Sequence, residues 1–205
     1  MAKSKSVYTC NQCGYESSKW NGKCPSCNAW NSFEESVAIQ SKGSVSLVSD
    51  LSDHILELSE IQYDTDVRYD TGLSELNRVL GGGLVKGSIV LLGGEPGIGK
   101  STLVLQTVLR MHGKRILYVS GEESARQIKL RADRLMNGAE GSEMLVLCET
   151  CLEQVFEHIE ETQPDLVVID SIQTMQTESV ESSPGSLSQI RECAASLLRY
   201  AKGGG

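Results

Sequence analysis

Gly94-Glu95-Pro96-Gly97-Ile98-Gly99-Lys100-Ser101 fits the phosphate-loop pattern G-x-x-x-x-G-K-[ST], and its flanks decide the fold. Ahead of it, Ser88-Ile89-Val90-Leu91-Leu92-Gly93 reads as a buried strand; from Lys100 onward the chain reads as a helix with one apolar face. Strand, loop and helix in that order make a triphosphate cradle. Glycines let backbone N–H groups approach phosphate oxygens, and the helix start adds the positive end of its dipole. On this reading Gly94, Glu95, Pro96, Gly97, Ile98, Gly99 and Thr102 line the nucleotide. Lys100 reaches the β- and γ-phosphates of ATP, and the Ser101 hydroxyl ligates Mg²⁺. A glycine-rich turn without a ligand is the competing reading, and it leaves the flanking strand and helix unexplained.

Downstream the pattern alternates. Residues 115–120, 143–148 and 166–170 read as strands, and residues 123–136, 152–161 and 187–202 as helices. That order predicts an α/β fold, a parallel sheet with flanking helices, whose ligands sit at the carboxyl ends of the strands. Asp170 ends a very apolar strand, where it would support the Mg²⁺ shell; a turn or capping aspartate is the alternative. Glu122 follows the strand expected beside the phosphate loop and is the first candidate to activate water, with Glu123 in reserve. Both acids could instead favour the start of the next helix. After the last helix only Gly203-Gly204-Gly205 remain, where a parallel unit should return with another strand, so the chain is expected to be a fragment, its sheet incomplete.

Cys10-Asn11-Gln12-Cys13 and Cys24-Pro25-Ser26-Cys27 are two C-x-x-C pairs ten residues apart. Two such knuckles make a tetrahedral cage, so Cys10, Cys13, Cys24 and Cys27 are the expected ligands of a structural Zn²⁺. The metal would supply folding energy that some thirty residues lack in a core. Disulfides and an iron site compete with that reading. Trp20, Trp30, Lys19 and Lys23 surround the second knuckle: they could stack on and neutralise single-stranded DNA, or the tryptophans could simply cover the metal. Cys148 and Cys151 lack a matching pair and read as buried or half-buried thiols, Cys193 as core.

The 205 residues thus divide into a zinc ribbon (1–35), a linker (36–62) with one short helix near residues 51–58, and the ATPase core (63–205). A net charge of -8 excludes a uniformly basic nucleic-acid binder, although residues 1–27 set four lysines against the single Glu16. No apolar run has the length of a membrane span, so no membrane partner is expected. Seven cysteines without an export signal point to the cytoplasm.

The short helix and three glycines within residues 69–84 resemble the entry to the RecA-like ATPase core. The whole order, from Cys₄ ribbon to Glu122, resembles the RadA (Sms) family of bacterial DNA repair proteins across nearly all of the chain. That resemblance implies a RecA-like DNA-dependent ATPase that processes branched recombination intermediates and promotes strand exchange and branch migration. It further implies a hexameric ring in the full-length family, single-stranded and branched DNA as partners, and the recombinase RecA as another. It assigns ATP and Mg²⁺ to Lys100 and Ser101, metal support to Asp170 and water activation to Glu122, and it sets residues 173–188 facing DNA. Their composition alone reads as a flexible loop. The family's further strands, its Lys-Asn-Arg-Phe-Gly motif and its Lon-like domain do not occur here. A non-catalytic zinc- and nucleotide-binding fragment, or a signalling ATPase with a protein partner, are the other readings.

Overall fold

The computed structural model describes residues 5–10, 15–38, 68–136 and 142–203. The expected helix near residues 51–58 and Cys13 lie outside them. At the N-terminus, β1 (Lys5–Cys10), β2 (Glu16–Ser17) and β3 (Phe33–Ala38) form an antiparallel sheet in the order β2-β1-β3. Its register sets Cys10 opposite Phe33. Cys10, Cys24 and Phe33 are the buried cluster of this unit, with Tyr8 against them. A piece of this size gains from a metal what a small apolar core does not supply.

The second unit runs β4 (Arg68–Tyr69), α1 (Ser74–Val79), β5 (Leu84–Val85), α2 (Lys100–Arg110), β6 (Arg115–Ser120), α3 (Ala125–Met136), β7 (Glu143–Leu147), α4 (Leu152–Thr162), β8 (Leu166–Asp170), a 3₁₀ turn at Ile172–Thr174 and α5 (Leu187–Lys202). Strands β6, β7 and β8 are parallel, in the order β7-β6-β8. Strand β6 is central, and its side chains alternate between two cores. Ile116 and Tyr118 join Leu105, Val108 and Leu109 of α2 and Ile128 and Ala132 of α3. Leu117 and Val119 join Leu152, Val155 and Ile159 of α4, together with Met175 and Cys193. Burial on both faces is the reason the strand reads as an unbroken apolar run.

The buried strand expected at residues 88–93 does not form. Strand β6 already has a neighbour on each side, and none of the described residues pairs with this segment. Its apolar side chains are exposed, Leu91 by 83%. An apolar run predicts that a segment can be buried; a neighbouring ladder must exist for it to become a strand.

Residues 173–188, which composition marks as flexible, are tied to α4 through Gln176 and Thr177 and gathered around one buried amide. Gln189 Oε1 accepts from Thr177 N–H at 2.8 Å, and Nε2 donates to the carbonyls of Thr177, Val180 and Ser182 at 3.2, 2.9 and 3.2 Å. A polar side chain this deeply placed must satisfy its hydrogen bonds, and here the loop backbone supplies them.

These two environments predict opposite outcomes for leucine truncation. Leu105→Ala removes a fully buried side chain and is expected to cost about 3 kcal/mol. Leu91→Ala should stay within about 0.5 kcal/mol. Urea unfolding of both variants of this chain checks the pair, and a Leu91 cost equal to that of Leu105 would contradict the exposed placement.

Candidate nucleotide site and metal centre

Helix α2 begins at Lys100, directly after the loop. Its N-cap residue, Gly99, has φ 101°, a left-handed conformation open to glycine, and no side chain caps the helix. The first-turn N–H groups of an eleven-residue helix are therefore available to an anion. Gly97 is also left-handed, and a Cβ on Gly97 or Gly99 would meet nothing within 4 Å. Lys100 Nζ folds back over the loop, donating to the carbonyls of Gly94 at 2.8 Å and Glu95 at 2.9 Å. Ile98 and Thr102 are exposed on the rim. This loop fits a phosphate chain: open glycine backbone, an uncapped helix start and one cation.

Asp170 joins it across 69 residues of sequence, where its Oδ1 accepts from Ser101 Oγ at 3.0 Å. Two oxygen donors side by side suit Mg²⁺, a hard cation with oxygen ligands. The other carboxylate oxygen, Oδ2, accepts from Tyr118 Oη at 2.6 Å. Burial, then that hydrogen bond, pushes the Tyr118 phenol well above its usual range, so it remains a donor. The residue before Glu122, Gly121, has no space for a side chain, since a Cβ there would collide with Thr174.

The register Ser120↔Asp170 aligns the ends of β6 and β8. Glu122 consequently meets the residue after Asp170, its Oε1 accepting from Ser171 Oγ at 3.2 Å, while the carboxylate stays exposed. Glu123 turns the other way into an ion pair with Arg131, Oε2 to Nη2, at 2.8 Å. Geometry thus separates two acids that sequence left adjacent. Sequence reading missed Tyr118, Ser171 and Arg131. A lone tyrosine inside an aliphatic strand was the available signal, because a buried hydroxyl needs a partner.

In the ribbon, the sulfurs of Cys10, Cys24 and Cys27 lie within 4.8 Å of one another. Cys10 Sγ and Cys27 Sγ are 3.6 Å apart, too far for a disulfide. That separation is near the edge of a tetrahedron with metal–sulfur bonds of about 2.3 Å. The knuckle carrying Cys24 is closed by Cys24 N–H to Ala29 O at 2.8 Å and Asn28 N–H to Cys24 O at 2.9 Å. The buried Phe33 packs with Cys10 and Cys24. Trp30 is 72% exposed and Trp20 is 53% exposed, so the tryptophans are not a lid on the metal. Lys23 Nζ stands 5.6 Å from the centre of the Trp30 ring.

Residues 56–203 match the AAA domain family, and residues 8–35 the rubredoxin metal binding domain. The chain belongs to the AAA-domain family. It is 48% identical to DNA repair protein RadA of Halalkalibacterium halodurans, 50% to that of Listeria monocytogenes and 47% to that of Bacillus subtilis. Each alignment covers 98% of this chain and 45% of the relative, so the chain spans under half the length of the RadA proteins it matches.

Two cysteines of this chain lie near the nucleotide strands without joining either site. Cys148 is exposed, a correction to its expected burial, because the strand ends one residue before it at Leu147. Cys151 is half-buried and donates to Glu153 Oε2 at 3.2 Å, and Cys193 is core as expected. The ribbon yields a direct test. Elemental analysis should find one zinc per chain, and Cys24→Ala should lose it and unfold residues 8–35. The melting of the AAA part should be unchanged.

Proposed function

We propose that this chain carries the nucleotide-hydrolysing and zinc-bearing parts of a DNA-dependent ATPase of recombinational repair. The observation that carries the reading is the Ser101–Asp170 hydrogen bond at 3.0 Å, which puts a phosphate-loop hydroxyl against a strand-end carboxylate. On binding ATP, Lys100 exchanges the Gly94 and Glu95 carbonyls for phosphate oxygens. Ser101 and Asp170 hold Mg²⁺, which when bound neutralises charge on the β- and γ-phosphates. Glu122, exposed at the end of β6 and steadied by Ser171, orients the attacking water and accepts its proton. Residues 94–99, apart from Pro96, which has no N–H, contribute backbone N–H groups to the phosphates. Cys13 completes the zinc cage with Cys10, Cys24 and Cys27.

The substrate of the whole protein is branched or single-stranded DNA, handled by a hexameric ring in concert with the recombinase RecA during strand exchange and branch migration. This takes place in the cytoplasm, and among the described residues no helix is long and apolar enough to cross a membrane. The two exposed tryptophans and Lys23 make the ribbon the DNA-stacking surface, with the cation meeting phosphate. The exposed run Ile89–Leu92 favours a second reading for this span alone, in which it binds ATP and zinc without turning over.

Steady-state and binding measurements separate these readings. Lys100→Ala should lower turnover at least about 100-fold, and Glu122→Gln should retain ATP affinity while losing hydrolysis by a similar factor. Normal turnover in Glu122→Gln would move the role to another group. For DNA, Trp20→Ala combined with Lys23→Glu should weaken single-strand binding about tenfold or more and flatten its salt dependence. Unchanged, salt-sensitive binding would remove the ribbon from the DNA contact.

A further inference from the structure

Tyr118 lies in the middle of β6, fully buried among Leu105, Val108 and Ile128. Phenylalanine would fill the same space without bringing a hydroxyl that must be desolvated. The hydroxyl has one acceptor, Asp170 Oδ2 at 2.6 Å, while Asp170 Oδ1 takes the Ser101 hydroxyl at 3.0 Å. Arg131 Nη2 stands 3.4 Å from the same phenol oxygen and also pairs with Glu123. A terminal carboxylate torsion is broad, so a single hydrogen bond leaves Asp170 loose. Bonds to both oxygens from different elements remove that freedom.

We propose that Tyr118 is a positioning residue for the Mg²⁺ shell, fixing the Asp170 carboxylate so that Oδ1 faces Ser101. Arg131 extends the same chain of contacts to Glu123, two residues ahead of α3, which assigns Glu123 to support rather than to catalysis. The inference rests on the ATP–Mg²⁺ reading of Asp170 given above.

The test titrates Mg²⁺ into the protein with a fluorescent ATP analogue and repeats nucleotide binding in EDTA. Tyr118→Phe should weaken the apparent Mg²⁺ affinity of the nucleotide complex about tenfold, the worth of one hydrogen bond to a charged group, and leave metal-free nucleotide affinity unchanged. The EDTA measurement also reports that the variant is folded. In an Asp170→Asn background, Tyr118→Phe should add nothing further, since the two act through one carboxylate. An unaltered Mg²⁺ titration in folded Tyr118→Phe, or additive effects in the double variant, overturns the inference and leaves the ATP reading intact. Failure of the unsubstituted protein to bind nucleotide overturns the ATP reading itself.

Discussion

The carboxylate of Asp170 joins three elements that the chain keeps far apart. It ends β8, takes a hydrogen bond from Ser101 in the first turn of α2, and takes another from Tyr118 at the centre of β6. These contacts need β6 and β8 in register and α2 packed over the sheet. Leu105, Val108 and Leu109 on α2 and Ile116 and Tyr118 on β6 supply that packing. The cores on both sides of β6 therefore do more than stabilise the fold: they hold the loop hydroxyl and the strand-end acid at hydrogen-bonding distance.

Much of this was legible because local chemistry carried it. Residues 115–120 and 166–170 are apolar runs that parallel burial demands, and the structure ends each strand where the run ends. The glycines and lysine of the phosphate loop likewise need no long-range information. What stayed hidden depends on partners distant in sequence. Nothing near Tyr118 announces Asp170, and nothing near Glu123 announces Arg131, eight residues on. Serines, threonines and glutamates between residues 173 and 188 suggested a loose loop, whereas the amide of Gln189 and the backbone bonds of Gln176 organise it. Ile89–Leu92 failed in the opposite sense, with ample apolarity and no strand among the described residues paired to it.

The ribbon follows a different economy. Among the described residues its buried cluster is three side chains, two of them cysteines, and a metal cage would stand in for a hydrophobic interior. That substitution releases Trp20 and Trp30 from core duty. Large aromatic faces normally disappear inside a fold; here a metal centre lets a small module wear them outside.

Lys100 bonded to its own loop has a consequence for selectivity. The ammonium gives two of its three N–H donors to carbonyl dipoles, so an incoming anion meets one remaining donor and competes for the other two. Displacement is favourable only in proportion to how far the newcomer's charge exceeds that of a peptide oxygen. A triphosphate clears that threshold easily, while singly charged anions scarcely do, and added salt erodes the margin further. The exchange of peptide oxygens for phosphate oxygens at Lys100 thus rewards ionic charge, and the reward shrinks as salt rises.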